Sequence, residues 1–534
     1  MLAGEIYKDI IGSCKGCDVM RLLKGLVLGA LLLASESALA ASGTLLYVPM
    51  DDRPVCLDYT VETMRAAGWD VKVPNREWIS GSVKKGEPEK LMDWLEKEGK
   101  TSTAIVASSD ALLYGGLVGS RTHAIPAKTL EQRAERLLHL KHNTHNQQIY
   151  IFTTIMRSPK ASGAPVEPAY YAQWGPKLFR LGALEDKNEL ERLHHRERKE
   201  LASLRAEIPQ EVLSDLYGRR ALNLKTTKLL LHGVENGDFD YFLLGRDDTA
   251  SFSQAHREAR ETDVLVRELP RGRIRFFAGA DQLGLVLLTR ATAKLQYEYP
   301  LVNVTYAAGK AGATIPSYED NTVAESAKQH IYAAGAYPVR KRDNADLVLA
   351  INTPKDGKCL EASNALNTAA VTPEVKNFVA KVARILKNGH DVAVADVKYG
   401  NGADNALVPE LLRQDVAYKL SAYGGWNTSG NTLGFALAQG LLAKSMLESD
   451  QAYLLEQRYL DDWAYQANAR MQVYQKVIWP QSWPNSGLKD EQLTGATQAV
   501  ATTIKKVAEP VMGKAADKYS FTLPWQRMFE VQVK

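Results

Sequence analysis

Four cysteines in 534 residues are too few for a disulfide framework, and two of them, Cys14 and Cys17, lie within the first 40 residues. Cys56 and Cys359 remain, far enough apart in sequence to be read either as a pair or as separate buried thiols. Charge of one sign is not in excess: 66 basic against 62 acidic residues leave a net charge of +4, which argues against nucleic-acid binding and a membrane-surface role. There is no GxSxG elbow and no HExxH. The one glycine-punctuated run after an early strand, "SDALLYGGLVGSR" (109–121), has neither GxGxxG order nor a GK[ST] ending, and no cofactor is expected. Solenoid repeats and low-complexity linkers are also missing.

Long apolar runs are nearly absent as well. The strongest, about Gly25 to Ala34, is short of the roughly 20 residues that a membrane anchor requires. It follows Arg21 and Lys24 and precedes "ALA" at 38–40, an arrangement that predicts a secretory signal peptide cut after Ala40. Residues 1–19 then read as an upstream extension, and the expected location is periplasmic or secreted, without a stable membrane anchor after cleavage.

What is present is an alternation of short apolar runs with longer amphipathic ones. Strand candidates are 44–50, 69–74, 103–109, 148–155, 239–245, 274–280, 301–307, 345–352 and 391–397. Most are continuously apolar, as strands buried on both faces of a parallel sheet are. Helix-like stretches at 55–68, 129–142, 253–266 and 373–389 separate them. The expected fold class is therefore α/β, with parallel-sheet (Rossmann/flavodoxin-like) units and a helical C-terminal region. The expected segments are 1–40 (extension and signal peptide), 41–300 (N-terminal α/β domain), 301–431 (second α/β segment) and 432–534 (helical). Within the first, the charge-dense 186–235 reads as an inserted, solvent-facing helical hairpin.

Polar clusters fall just past the predicted strands, where ligands bind in open parallel sheets. Asp51, Asp52 and Arg53 follow the first strand, Asp110 closes "AIVASSD", and Arg157 follows "FTTIM". Arg246, Asp247 and Asp248 follow "YFLLG", Asp281 ends "FFAGAD", Asp396 sits in "VAVADV" and Asp404 comes soon after. Any one such aspartate is explained by helix capping. Five acidic junctions, two with arginine alongside, predict a shared electronegative cleft braced by guanidinium groups.

Two further stretches stand out. In 109–121, Tyr114 precedes Gly115 and Gly116, which permit positive φ or close backbone approach, and Arg121 closes the run. In "YGGWNTSGNTLG" (423–434), Trp426, Asn427 and Asn431 have the chemistry of sugar recognition, amides for hydroxyls and an indole face for the ring, although Trp426 reads equally well as core. His139, His142 and His145, spaced by three, lack an acidic or cysteine partner and read as a solvated face rather than a metal site.

The ordered motifs "DDRP", "DALLYGGLVGSR", "YYAQWGPKLFRLGALEDK", "GRDDTA", "GADQLGLVLLTR", "DVKYGNGAD" and "GGWNTSGNTLG" resemble the bacterial family catalogued as domain of unknown function 4127, from about residue 44 to beyond 434. The resemblance implies one integrated α/β architecture and no particular activity. It implies a candidate site of Asp51, Asp52, Arg53, Asp110, Tyr114, Arg121, Arg157, Asp247, Asp248, Asp281, Asp396, Asn401, Asp404, Trp426, Asn427 and Asn431. Gln282 stands where the family pattern carries an acid.

Among reaction classes, glycoside hydrolysis uses two carboxylates, one protonated and one ionised. The expected function is a glycan hydrolase with one acid from Asp247/Asp248 and one from Asp51/Asp52 or Asp110, Arg121 and Arg157 orienting the substrate or holding acids ionised. The expected partner is a small-molecule or glycan substrate. The alternatives are an Asp-cluster metal-dependent hydrolase, against which the nearby arginines argue, and a non-catalytic periplasmic sugar-binding protein.

Overall fold

A computed structural model describes residues 43–145, 147–160 and 162–534. The predicted signal peptide and Cys14 and Cys17 lie outside the described residues.

Six strands build the first sheet: β1 (Leu45–Val48), β2 (Val71–Lys72), β3 (Ala104–Ser108), β4 (Gln148–Ile155), β5 (Tyr241–Arg246) and β6 (Ile274–Ala278). Their spatial order is β2-β1-β3-β4-β5-β6 and every pairing is parallel. The second sheet holds β7 (Leu301–Tyr306), β8 (Tyr337–Pro338) and β9 (Leu347–Asn352), followed, after the two-residue β10 (Leu360–Glu361), by β11 (Val392–Asp396). After β12 (Tyr399–Gly400), which pairs with β10, β13 (Ala422–Gly424) completes it in the order β13-β11-β9-β7-β8, again parallel.

The continuously apolar strands are explained by burial on both faces. Side chains alternate across a strand, so Leu46 and Val48 of β1 join Ile105, Ile151 and Leu244 on one face, covered by Leu91, Leu130 and Leu230 from flanking helices. Leu45 and Tyr47 point the other way, into a layer that also receives Leu347, Leu349 and Ala393 from the second sheet. Helices Leu283–Leu295 and Ser429–Leu442 fill that layer, and the latter is buried along its whole length. The outer face of the second sheet, with Val348, Ala350 and Val394, is closed by helix Pro373–Lys387 and the C-terminal helices. The molecule is thus layered as helices, sheet, helices, sheet, helices. A shared apolar layer joins the sheets.

Three helices, Tyr171–Leu190, His195–Glu207 and Gln210–Asn236, stand between β4 and β5. Their charged faces pair as Arg180–Glu200 and Lys187–Glu197, while Leu181, Leu204 and Leu216 form a small core of their own. The C-terminal region is helical through Asp490–Met512 but ends in an antiparallel pair, β14 (Phe521–Thr522) with β15 (Gln532–Val533). Pro524 follows the first of these strands, and the intervening turn carries the chain back towards β1.

Candidate functional site

Each polar junction follows from a strand that ends abruptly. β1 stops at Val48, and the next turn places Asp51 where its carboxylate accepts from the Arg53 backbone N–H at 3.1 Å and from the Arg53 guanidinium at 2.8 to 3.1 Å. The same guanidinium reaches Asp281 Oδ1, past the end of β6, at 2.6 Å. Asp281 Oδ2 accepts amide hydrogen bonds from Asn427 (3.2 Å) and Asn431 (3.3 Å). Asn431 Oδ1 in turn takes the backbone N–H groups of Ala280 and Asp281. One arginine and two asparagines therefore fix Asp281 from three elements, a shell that specifies its position far more tightly than a single pair would.

A second strut runs from the end of β4 to the end of β5. Arg157 donates to Glu167 at 2.6 Å and to Asp248 at 3.1 Å. Arg121 pairs with Asp247 and lies 3.5 Å from Glu167. Asp248 has φ of 41°, Asn401 58° and Asn427 61°. These are left-handed conformations that Asp and Asn, among residues with a Cβ, adopt most readily.

These groups line a cleft of about 390 Å³. Its acidic lining is Asp247, Asp248 and Asp281, and its cations are Arg53, Arg121, Arg157 and Arg527. The remaining wall comes from Asn401, Asn427 and Tyr318 and from Tyr474, Trp525 and Phe529 near the C-terminus. Both sheets present their carboxyl ends to it, as expected for ligand crevices in parallel sheets. Burial, with the neighbouring Asp247 charge adding to it, pushes the Asp248 carboxyl up to about 6 against the pull of Arg157. Its side chain is still 28 % exposed. Burial also raises Asp281, against the opposing effect of Arg53.

Other predicted site residues support the cleft from beneath or lie away from it. Asp51 is fully buried under Arg53. Asp110 lies below the end of β4, where Oδ2 accepts from the Thr154 N–H and hydroxyl, both at 3.0 Å, while buried Oδ1 has no partner. Burial lifts its pKa to about 7, with the two Thr154 bonds opposing. Asp52 accepts from the Trp525 indole at 2.7 Å. Tyr114 is buried and stacks on His123, with ring centroids 5.0 Å apart, so it takes no part in the lining. Gly116, by contrast, has φ of 124°, and a Cβ there would fall 1.9 Å from Ser80 Oγ, so the glycine pair serves close backbone approach.

Trp426 is a core residue: only 3 % exposed, it meets Phe529 edge-on. The sugar-stacking role anticipated for it has no surface to act through. Asp396 and Asp404 form a buried network behind the cleft. Asp396 accepts from Asn352 (2.9 Å), the Asp404 N–H (2.7 Å) and the Tyr423 hydroxyl (3.1 Å), and Asp404 pairs with Lys398 at 2.8 Å. The network fixes the 398–404 loop, which presents Asn401 to the cleft. Gln282 is wholly buried and bonds to His330 at 3.0 Å, a core role in place of an acid.

Several residues that line or brace the cleft gave no warning in the sequence. Glu167, which bridges two arginines, sits in the ordinary-looking "PVEPAYY". Trp525, Arg527 and Phe529 belong to "PWQRMF", a short run that follows the two-residue β14 close to the C-terminus.

Among the described residues, no group of three or more His, Cys, Asp or Glu is placed to hold a metal ion, and no helix is long and apolar enough to cross a membrane. No curated protein and no solved structure matches the chain. Residues 45–534 match the family described as "Protein of unknown function (DUF4127)", and with strands, braced acids and C-terminal wall all inside that span, the chain belongs to this family.

Proposed function

We propose that this chain is a secreted or periplasmic hydrolase acting on glycans, glycosidase-like in its use of carboxylates, with Asp248 as proton donor and Asp281 as its ionised partner. The observation that carries the reading is the contrast between these two acids on one cleft. Asp248 keeps over a quarter of its side-chain surface open and is poised at about 6, a value suited to giving a proton near neutral pH. Asp281, although burial raises its carboxyl as well, is held by a guanidinium and two amides that oppose this rise by favouring the anionic form. In such a reaction the acid protonates the departing glycosidic oxygen while the carboxylate serves as base or nucleophile. Asn401, Asn427 and Tyr318 supply donors and acceptors for hydroxyls, and Trp525 or Phe529 an apolar face. Asp51 and Asp110 act here as supports for Arg53 and β4. We infer that the α/β units are Rossmann/flavodoxin-like, a reading that the order β2-β1-β3-β4-β5-β6 supports.

Non-catalytic sugar binding is the competing reading, favoured by Arg53, Arg121 and Arg157 all being paired with acids. The full chain is incubated with a panel of glycans and muropeptides, following reducing-end release and thermal shift together. Asp248→Asn and Asp281→Asn each abolish release while the shift survives if the proposal holds. A glycan-induced shift without release in the unaltered protein selects binding alone, and no response to any glycan overturns both readings.

A further inference from the structure

At the opposite ends of the strands lies a second hollow, of about 370 Å³, floored by the starts of β4 and β5 and walled by helix Leu283–Leu295 and the segment before β8. It has a different chemical character from the first cleft. Arg271, Arg275, Arg290 and Lys294 all line it, and among the described residues none of the four has a carboxylate within ion-pair distance. This is unusual for this protein, where most buried and half-buried arginines are matched with acids. Among the described residues two acids reach the rim, and both are engaged elsewhere: Asp240 with Lys141 at 3.0 Å and Glu298 with Lys444.

Tyrosines form the rest of the wall. Tyr241 is 1 % exposed, lines the hollow, and its buried hydroxyl has no hydrogen-bond partner among the described residues. Arg290 lies over the same ring, 3.5 Å from its centroid, and among the described residues donates to the Tyr332 and Gly272 carbonyls alone, at 2.9 and 3.4 Å. A guanidinium has five N–H donors, so several are left for a ligand. Arg275 stacks on Tyr332 at 5.2 Å. Tyr299 and Tyr337 are 61 % and 48 % exposed at the mouth. An unpaired buried hydroxyl costs free energy unless something meets it. Four cations around the hollow without an ion-pair partner among the described residues favour a multiply charged anion, and guanidinium forks match the oxygens of phosphate.

We propose that this hollow is a binding site for a small organic phosphate, its phosphoryl oxygens taken by the Arg290, Arg275 and Lys294 cations and its ring packed among the tyrosines. The site is separate from the acidic cleft and does not depend on the hydrolase reading. A ligand here would span the first sheet and the entrance to the second, since the hollow touches β4, β5 and the residues on both sides of β7.

The test is calorimetric titration of the full chain with phenyl phosphate, inorganic phosphate and phenol at low ionic strength. Phenyl phosphate is expected to bind, inorganic phosphate to bind at least tenfold more weakly, and phenol not to bind. Arg271→Gln/Lys294→Gln removes two exposed cations without a structural bond and is expected to weaken phenyl phosphate tenfold or more with an unchanged Tm. Asp248→Asn is expected to bind it as the unaltered chain does. Absence of binding at millimolar phenyl phosphate, or equal affinity in the Arg271→Gln/Lys294→Gln variant, overturns the proposal. Loss of binding in Asp248→Asn with retention in the double variant overturns it too, by moving the phosphate to the acidic cleft.

Discussion

Asp52 and Trp525 are 473 positions apart along the chain, yet the indole Nε1 donates to the Asp52 carboxylate at 2.7 Å. Arg53 lies 5.1 Å from the same ring and Arg527 4.5 Å, so one aromatic side chain gathers two cations and an anion at the edge of the cleft. The contact fastens the C-terminal segment over the loop that follows β1. Tyr59 supports it by bonding to the backbone of Val531 and Val533.

Trp525→Phe keeps a ring for the cations and removes the indole donor. Losing a hydrogen bond to a charged group costs about 1.5–3 kcal/mol, so a lower midpoint in urea is expected. A glycan that stabilises the unaltered protein is expected to bind Trp525→Phe about tenfold more weakly, as read by thermal shift.

Asp248→Asn and Asp248→Val separate chemistry from backbone conformation. Asparagine tolerates the φ of 41°, so the variant is expected to keep its Tm and, under the proposed acid role, to lose about 10²- to 10⁴-fold in glycan release, the usual contribution of a general acid. Valine at that φ adds strain of about 1–3 kcal/mol, and its Tm falls as well.

Arg53→Met removes the cation shared by Asp51 and Asp281 and leaves two buried acids without it. Breaking such a pair typically costs about 3–5 kcal/mol. Adding Asp281→Asn removes one of the stranded charges, and the double variant is expected to be more stable than Arg53→Met alone. A double-mutant cycle on urea midpoints measures this.

The pH dependence of stability has a defined sign. Asp110 stands at about 7 in the folded protein, above the usual value near 4 of an unfolded aspartate. Between those values the folded state binds more protons, so this group's contribution is fully present below about pH 4 and is lost as pH rises through about 7. Asp110→Asn is expected to flatten the fall in Tm between pH 5 and pH 8.

Cys56 and Cys359 are unpaired. Burial raises both thiols, Cys359 to about 12 and Cys56 well above its usual value, so neither forms much thiolate at neutral pH. A thiol reagent at pH 8 is expected to react slowly with half-buried Cys359 and with Cys56 only after unfolding. Reductant should leave Tm unchanged.

Much of this architecture could be read from local pattern. Runs such as "LLYV", "AIVAS" and "LVLAIN" declare strands covered on both faces, and each lies in a parallel sheet. The two-residue β8, β10 and β12 are too short to produce a pattern, and β13, "AYG", lacks the β-branched residues that mark a strand. Residues just beyond strand ends were informative because topology sends them to one rim: Arg53, Arg157, Asp248 and Asp281 meet there. Depth was not legible. An aspartate at a strand end looks the same in sequence whether, like Asp248, it faces the opening or, like Asp110, it sits beneath a neighbouring strand. Nor could the sequence announce Trp525, since its placement depends on a turn that folds back across the whole molecule.

That turn bears on the order in which the molecule is made. The basin of paired charges comes from segments that leave the ribosome early and midway, whereas its aromatic flank, Trp525 to Phe529, emerges after every strand of both sheets. A nascent chain held short of that flank lacks the side of the cleft that Trp525, Arg527 and Phe529 supply. Completion of the wall is therefore a late event in the life of the polypeptide, and a chain interrupted upstream of Pro524 would lack not only that flank but also β15 and the buried Met528, Val531 and Val533 that pack into the core.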